Sequence, residues 1–579
     1  MSKLTNDHQV GPNQSATVAA LRHSAAHLLA HAVMELFPNT KLTIGPVTQE
    51  GFFYDFLPTT NFKEEDLIAI TKRMHEIVAR NLPLVQKEIT KDEARKLFND
   101  NQFKLELIDK IPDELVGISS QGNFYDLCRG GHVATTGEIK HFALQAISGS
   151  YWRANKDGQA LQRISGTAFP TEEELKSYLQ RLEDLKEYDH RRLGKQLDLF
   201  SFHEEGVGFP FFHPKGQRVL HVMETYMRGL QGTSNYQEIS TPTMLSDELW
   251  RRSGHYAHYK DKMYFCNVDE VPYAIKPMNC PGAILTYATR PRSYRELPLK
   301  LAEYGHVHRH ELSGVLHGLL RVRAFTQDDV HVFCTIEQVQ QEITTIVQLM
   351  FTMLKKFGFA NYFFAVSTRP ENSLGSDEYW EKATNDLKES LNSLNVPFSI
   401  QEGEGAFYGP KIELGIEDSM GRRWQCGTVQ VDFFLPENFD LTYVAPSGKR
   451  ERPVMLHSVI YGSLERFFAI LLEHYKGHLP FWLAPTQIRI LTITDDQNPY
   501  AQTLLEALKT AGIRAEVDLS SDPLSGQIKT AQLEKIPWML IVGKKEVANN
   551  TVTLRYVDGT QEANLTLPAL LEKAAAANR

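Results

Sequence analysis

The chain has 579 residues, 42% apolar and 23% charged, with a formal net charge of −9. Its length exceeds what one hydrophobic core fills and points to roughly three or four domains. The negative balance excludes a surface coated with basic residues for indiscriminate nucleic-acid binding, though not a local RNA-binding stripe. No run of about eighteen apolar residues occurs, so no membrane span is expected. The opening MSKLTNDHQVGPNQSATV lacks the apolar core of a secretory signal. Residues 1–18 therefore read as a disordered tail on a cytoplasmic protein.

Residues 19–37, AALRHSAAHLLAHAVMELF, carry helical periodicity and stop before Pro38. A short alternating run at 52–56 and a helical stretch at 63–80 follow, and 19–170 reads as one compact α+β domain. A charged helix, TEEELKSYLQRLEDLKEYDHRR, has apolar positions too sparse for a deep core, and 171–194 is assigned as a linker helix. Between 195 and 483, helices alternate with strand-like runs such as YFFAVST at 362–368 and TVQVDFFL at 428–435. Their order suggests an antiparallel sheet. From 484 to 579 the runs IRILTIT, IRAEVDL, WMLIVG and TVTLRYV alternate with helices, the pattern of a small doubly wound parallel sheet. The fold class is multidomain α+β. The five cysteines, Cys128, Cys266, Cys280, Cys334 and Cys426, are odd in number and scattered, which argues against a disulfide framework. Cys266, Cys334 and Cys426 sit among apolar or aromatic residues and are expected to be simply buried.

His23 and His27 are four apart on the first helix and project from one face. Cys128 and His132 repeat that spacing in YDLCRGGHVATTGE, with Asp126 two residues earlier. Such pairs make a four-ligand metal site or a hydrolytic pocket; the plainer reading is surface or capping histidines. These segments resemble the editing domain of bacterial-type threonyl-tRNA synthetases, whose fold alanyl-tRNA synthetase editing domains share. The resemblance implies that His23, His27, Cys128 and His132, with Asp126 and Lys104, hydrolyse Ser-tRNA-Thr, threonine being excluded by its extra methyl. Gly131 stands where that family usually has Pro, and it loosens the backbone.

YQEISTP at 236–242 resembles motif 1 of class II aminoacyl-tRNA synthetases, a dimer-interface element, which implies a homodimer. EYGHVHRHELSGVLHGLLRVRAFTQDDVHVF, at 303–333, resembles motif 2. Adenylate formation needs arginines on the α-phosphate and an aromatic face for adenine. Arg309, Arg321, Phe325 and Glu311 are placed for those tasks, Glu311 accepting from the adenine amino group. The alternative is a hairpin whose arginines pair with acids. YGSLERFFAILLEH, at 461–474, resembles motif 3, with Arg466 on the first turns of a helix to hold the γ-phosphate. The segments between resemble threonyl-tRNA synthetases almost residue by residue. They imply Gln425 and Thr428 on the ATP side, Tyr408 and Gln327 facing the threonine amino group, and Lys411 in the active site.

The same resemblance, not spacing, implies Cys280, His331 and His457 as three ligands of one Zn²⁺ that binds the amino group and hydroxyl of threonine, while Mg²⁺ accompanies ATP. Asp329 would accept from the hydroxyl. Valine would be rejected by roughly 10⁴, whereas serine, short of one methyl, would lose only about 1–3 kcal/mol and need a second sieve. His255 matches a general base for transfer to the terminal ribose. Departures from the family are Ala283, His310, Leu312 and Ser458-Val459. After about residue 485 the chain resembles an anticodon-binding domain, with Glu546 and Arg555 at base-contacting positions and SSDPLSGQ, at 520–527, departing from it. The match starts near residue 20, without the small ubiquitin-like domain that usually precedes it. The expected partners are threonine, ATP and tRNA-Thr, with neither DNA nor membrane. A prolyl or seryl relative would lack the zinc trio and the His/Cys quartet. A non-catalytic paralogue acting as an RNA-binding regulator would be expected to have lost Arg309, Arg466 or a zinc ligand.

Overall fold

A computed structural model describes residues 12–48, 50–155, 158–371, 373–419 and 421–578. The expected tail lies outside the described residues up to position 11, but its last part is helical. The first helix runs Pro12–Leu36, because no Gly or Pro after Pro12 stops it from propagating. The chain divides into two compact units, Met1–Glu183 and Asp184–Arg579.

In the first unit this helix buries Leu21, Ala25, Leu28, Leu29, Ala32 and Val33. They pack with Phe52, Tyr54 and Phe56 of strand Phe52–Leu57 and with Ile70, Met74 and Ile77 of helix Asp66–Ala79. Phe52–Leu57 belongs to a four-stranded sheet with Lys41–Leu42, Ala160–Phe169 and His141–Tyr151. A three-stranded antiparallel sheet, Leu84–Thr90, Leu115–Gln121 and Phe124–Leu127, carries Asp126 opposite Ser119. Beside it, helix Gln102–Lys110 starts at Asn101, whose Oδ1 accepts from the backbone N–H of Phe103 and Lys104.

The segment expected to be one linker helix forms two helices, Glu172–Glu187 and His190–Gln196. Asp189 leaves helical geometry (ψ 128°) and its carboxylate accepts from Arg191 N–H, which starts the second helix afresh. As the sparse pattern implied, the first buries only Tyr178.

The second unit is built on an eight-stranded sheet. Its order is Gln237–Glu238, Leu299–His308, Ala324–Cys334, Val454–Val459, Arg423–Asp432, Lys411–Glu417, Tyr362–Ser367 and Phe398–Gln401. All pairs are antiparallel except the outermost at each end. The strand expected at 428–435 runs instead from Arg423 to Asp432. There Asp432 Oδ1 accepts from Phe434 and Leu435 N–H and opens the short helix Phe434–Asn438. Helices Val339–Lys356 and Leu464–His474 share the main core with this sheet.

The C-terminal sheet is mixed, not all-parallel. Ala515–Asp518, Ile488–Thr492 and Trp538–Val542 are parallel, whereas Thr551–Tyr556 and Gln561–Thr566 add on antiparallel. The Asp558-Gly559 turn, with Gly559 at φ +92°, folds the last two into a hairpin. Cys334 and Cys426 are buried, but Cys266 is only half-buried, its Sγ on Met244 Sδ across a three-stranded sheet. Among the described residues no helix is long and apolar enough to cross a membrane.

Asn101 both caps the helix that carries Lys104 and donates to Leu42 O at 2.9 Å. Asn101→Ala is expected to destabilise the first unit by about 1–2 kcal/mol. The midpoint of its urea transition measures this, and an unmoved midpoint would show that neither bond contributes.

Candidate functional sites

The first unit gathers the histidine pair and the Cys-His pair. The ligating atoms of His23, His27, Cys128 and His132 all lie within 4.8 Å of one another. Cys128 Sγ is 3.1 Å from His132 Nε2 and 3.5 Å from His23 Nε2. Ser24, between the two helical histidines, approaches His132 Nδ1 at 3.2 Å and accepts from Val133 N–H, so the helix orients the loop imidazole. Gly130 N–H donates to Cys128 Sγ, and Gly130 and Gly131 both take left-handed φ, +97° and +86°.

Beneath the quartet is a buried polar trio. Asp126 pairs with Lys104, accepts from Tyr54 OH at 2.5 Å and lies 3.6 Å from His27 Nδ1; Lys104 also donates to Tyr54 OH at 3.1 Å. Burial works against the Asp126 charge, but Lys104 and His27 outweigh it and hold the carboxyl below its usual range. Burial pushes His27 down to about 3 and, with His23 beside it, His132 down to about 4; it pushes the Cys128 thiol up. At neutral pH the pocket therefore presents neutral imidazoles and a protonated thiol. Such groups orient a water and accept its proton, and the same donor set fits a metal ion.

In the second unit Cys280, His331 and His457 converge within 4.8 Å although they come from three segments. Cys280 opens helix Cys280–Tyr287, and His331 and His457 face each other across paired strands. Asp432 Oδ2 takes His457 Nε2–H at 2.8 Å, which leaves Nδ1 as the lone-pair nitrogen. One thiol and two imidazoles, with one ring already oriented by a carboxylate, fit a tetrahedral metal with an open position. Asp329 lies beside them, 3.8 Å from His331 and hydrogen-bonded by Asn279 at 3.0 Å; burial pushes its carboxyl up to about 6. Tyr408 OH bonds Gln430, which pairs with His457 in the sheet. Along Ala324–Cys334, Phe325, Gln327, Asp329 and His331 share one face by the period of two.

Arg309 donates to Pro277 O at 3.2 Å and sits 5.0 Å from the centre of the Phe325 ring. Arg466 donates to Leu320 O at 3.0 Å. Burial lowers its guanidinium pKa, and Arg309 and Arg321 act in the same direction, so three guanidiniums converge. Arg321 pairs with Glu311 at 3.0 Å, which is the acid pairing that the plain-hairpin alternative supposes. Neither Arg309 nor Arg466 forms a salt bridge among the described residues. Lys411 pairs with Glu413 on its own strand; Gln425 and Thr428 lie on Arg423–Asp432, Gln425 exposed and Thr428 half-buried.

His255 is fully buried, Nδ1 on Ser253 Oγ and Nε2 3.0 Å from Met278 Sδ and 3.7 Å from Cys280 Sγ. Glu546 caps its own short helix through Gly543 N–H and takes Thr553 Oγ1–H, while Arg555 donates to Gly559 O. Sequence reasoning missed Tyr54, Ser24, Asn279 and Asp432. Only Asp432 had a signal: alternation along TVQVD places it on the face of Thr428 and Gln430.

Three family models match the chain: the threonyl and alanyl tRNA synthetase second additional domain over 116–165, the class II tRNA synthetase core (G, H, P, S and T) over 264–475, and an anticodon-binding domain over 487–576. A threonine–tRNA ligase of Carboxydothermus hydrogenoformans is 51% identical over 92% of this chain and 84% of its own length. One from Acetivibrio thermocellus is 50% identical over 93% and 85%. A solved structure described as the RNA-binding domain of threonyl-tRNA synthetase from Cryptosporidium parvum superposes with a TM-score of 0.66 at 39% identity, covering 67% of this chain and 98% of that one. With half its residues shared across most of its length, and with editing, class II core and anticodon-binding domains in that order, the chain belongs to the threonine–tRNA ligase family.

Proposed function

We propose that this threonine–tRNA ligase works as a homodimer, in the cytoplasm, with Zn²⁺ at Cys280, His331 and His457 and Mg²⁺ accompanying ATP. Motif 1, at 236–242, supports the dimer. The reading rests above all on the convergence of Arg309, Arg321 and Arg466, two of them without a carboxylate partner among the described residues. Guanidiniums gathered in a partly desolvated site are costly unless an anion joins them, and a triphosphate supplies that anion. Arg321 is 46% exposed, so its pair with Glu311 is weak and easily exchanged. Glu311 is then released for the adenine amino group, Phe325 offers the adenine a face, and Gln425 and Thr428 line the ATP side with Lys411 near them.

Zinc, when bound, supplies a Lewis-acid point for the amino group and hydroxyl of threonine. The chain's own part is orientation: Asp432 fixes His457, Gln327 and Tyr408 take the amino group, and Asp329 accepts from the hydroxyl. Valine would leave that buried carboxyl facing a methyl, the kind of mismatch that costs roughly 10⁴ in specificity. Serine satisfies Asp329, so discrimination against it falls to the editing pocket. There His23, His27, Cys128 and His132 hold the attacking water, and Asp126, kept ionised by Lys104, faces His27 across 3.6 Å. His255 acts in transfer to the ribose of tRNA-Thr, and Glu546 and Arg555 serve the anticodon.

Arg309→Ala or Arg466→Ala should reduce threonine-dependent ATP–pyrophosphate exchange by about 10²–10³ or more. Hydrolysis of Ser-tRNA-Thr should continue; parallel loss of both activities in folded protein would contradict the assignment of roles.

Cys280→Ser should lower bound zinc, measured by atomic emission, together with threonine activation. Normal activation by metal-poor protein would refute the substrate-ligand role.

A His27→Ala, Cys128→Ala double variant should charge threonine at near the parental rate while accumulating Ser-tRNA-Thr. Deacylation of purified Ser-tRNA-Thr is the deciding measurement. Equal rates for parent and variant, no faster than spontaneous hydrolysis, would mean that the pocket does not edit.

A further inference from the structure

His190, the first residue of helix His190–Gln196, is fully buried and uses both ring nitrogens. Nδ1 lies 2.6 Å from Glu473 Oε1, and Nε2 accepts the backbone N–H of Leu319 at 3.0 Å. A carboxylate partner on Nδ1 and an N–H donor on Nε2 define one state, the neutral imidazole protonated at Nδ1. Asp189, His190 and Glu473 cluster closely enough to suggest a metal, but the ring has no lone pair left to give.

The atoms it joins belong to two elements of the proposed ATP site. Glu473 is near the C-terminal end of helix Leu464–His474, which carries Arg466 on its first turn. Burial would push the Glu473 carboxyl up, but the hydrogen bond from His190 and the Arg422 guanidinium outweigh burial and hold it below its usual range. Leu319 lies in the loop between the two motif 2 strands, and the next carbonyl, Leu320 O, receives Arg466 Nε–H. The path is therefore His190 Nε2 to Leu319 N–H, one residue onward to Leu320 O, then to Arg466.

The loop is shaped to reach the ring. Gly318 has φ +48°, and a Cβ on it would lie 2.1 Å from His190 Nε2. Leu319 and Leu320 are themselves buried, so the segment is anchored on both sides of the imidazole contact.

We propose that His190 is a positioning residue for ATP, fixing the Leu319–Leu320 segment against which the Arg466 guanidinium is aimed. This rests on the reading of Arg466 as a phosphate ligand. It touches no substrate and acts through the loop.

The test is pyrophosphate exchange by the full-length protein, with ATP and threonine varied in turn and active sites counted by burst titration. His190→Leu should raise the KM for ATP about tenfold, the worth of one well-placed hydrogen bond, and move the KM for threonine within about twofold. The active-site count should be unchanged. His190→Gln, whose Oε1 can take the Leu319 N–H, should return the ATP value to within about threefold of the parent. Equal changes in both KM values, a loss confined to the active-site count, or no change would overturn the proposal. Should His190→Leu fail to fold, Gly318→Ala presses on the imidazole from the loop side and carries the same ATP-selective expectation; unaltered ATP kinetics there would overturn it equally. Arg466→Ala, run beside them, separates the two readings. Intact exchange in that variant would remove the phosphate role itself, whereas lost exchange with a silent His190→Leu would remove only the positioning role.

Discussion

The catalytic unit depends on the register of one strand. Ala324–Cys334 is hydrogen-bonded on both sides, to Leu299–His308 and to Val454–Val459. Its odd-numbered positions from Phe325 to His331 line the candidate site, while Val330, Val332 and Cys334 on the other face are fully or nearly fully buried. A slip of one residue would turn the side chains on the face of His331 into the core and the core residues outward. Burial of the even face thus keeps His331 opposite His457.

Buried acids then tie helix Leu464–His474 and the turn before it to this sheet. Asp328 accepts from the backbone N–H groups of Ile460, Tyr461 and Gly462, and Glu465 accepts from Thr326 N–H. Burial drives both carboxyls up to about 7, and the backbone donors work against that rise. Removing such a donor set would leave a buried acid unsatisfied, so each contact is costly to lose. The result is that the N-terminus of Leu464–His474 is held on the strand that carries Gln327 and Asp329, and Arg466 inherits that placement.

Much of this was legible in the sequence, for different reasons. The His23–His27 pair was readable because helical spacing is local, and motifs 2 and 3 because their chemistry dictates residue types. The cluster of Cys280, His331 and His457 is not readable from spacing, since the three meet only through tertiary folding; the family resemblance supplies it. Tyr54 was passed over because an aromatic in an alternating strand reads as core, and its hydroxyl finds Asp126 only across the domain. The C-terminal sheet reads as all-parallel because alternation of strand and helix outweighs the Asp558-Gly559 turn signal at its end. The segment at 171–194 reads as one helix because charge patterning is blind to a break made by one side chain, Asp189.

Gly131 has a consequence for engineering by family consensus. A Cβ there would meet nothing within 4 Å, so space is not what favours glycine; its φ of +86° is. Proline, which the resemblance leads one to expect there, is locked near −65°. Restoring it alone would force the backbone between Cys128 and His132 onto another path and pull Gly130 N–H from Cys128 Sγ. Proline at 131 and the present loop are thus mutually exclusive, and proline is open only to a chain that changes Gly130 and its neighbours in the same step.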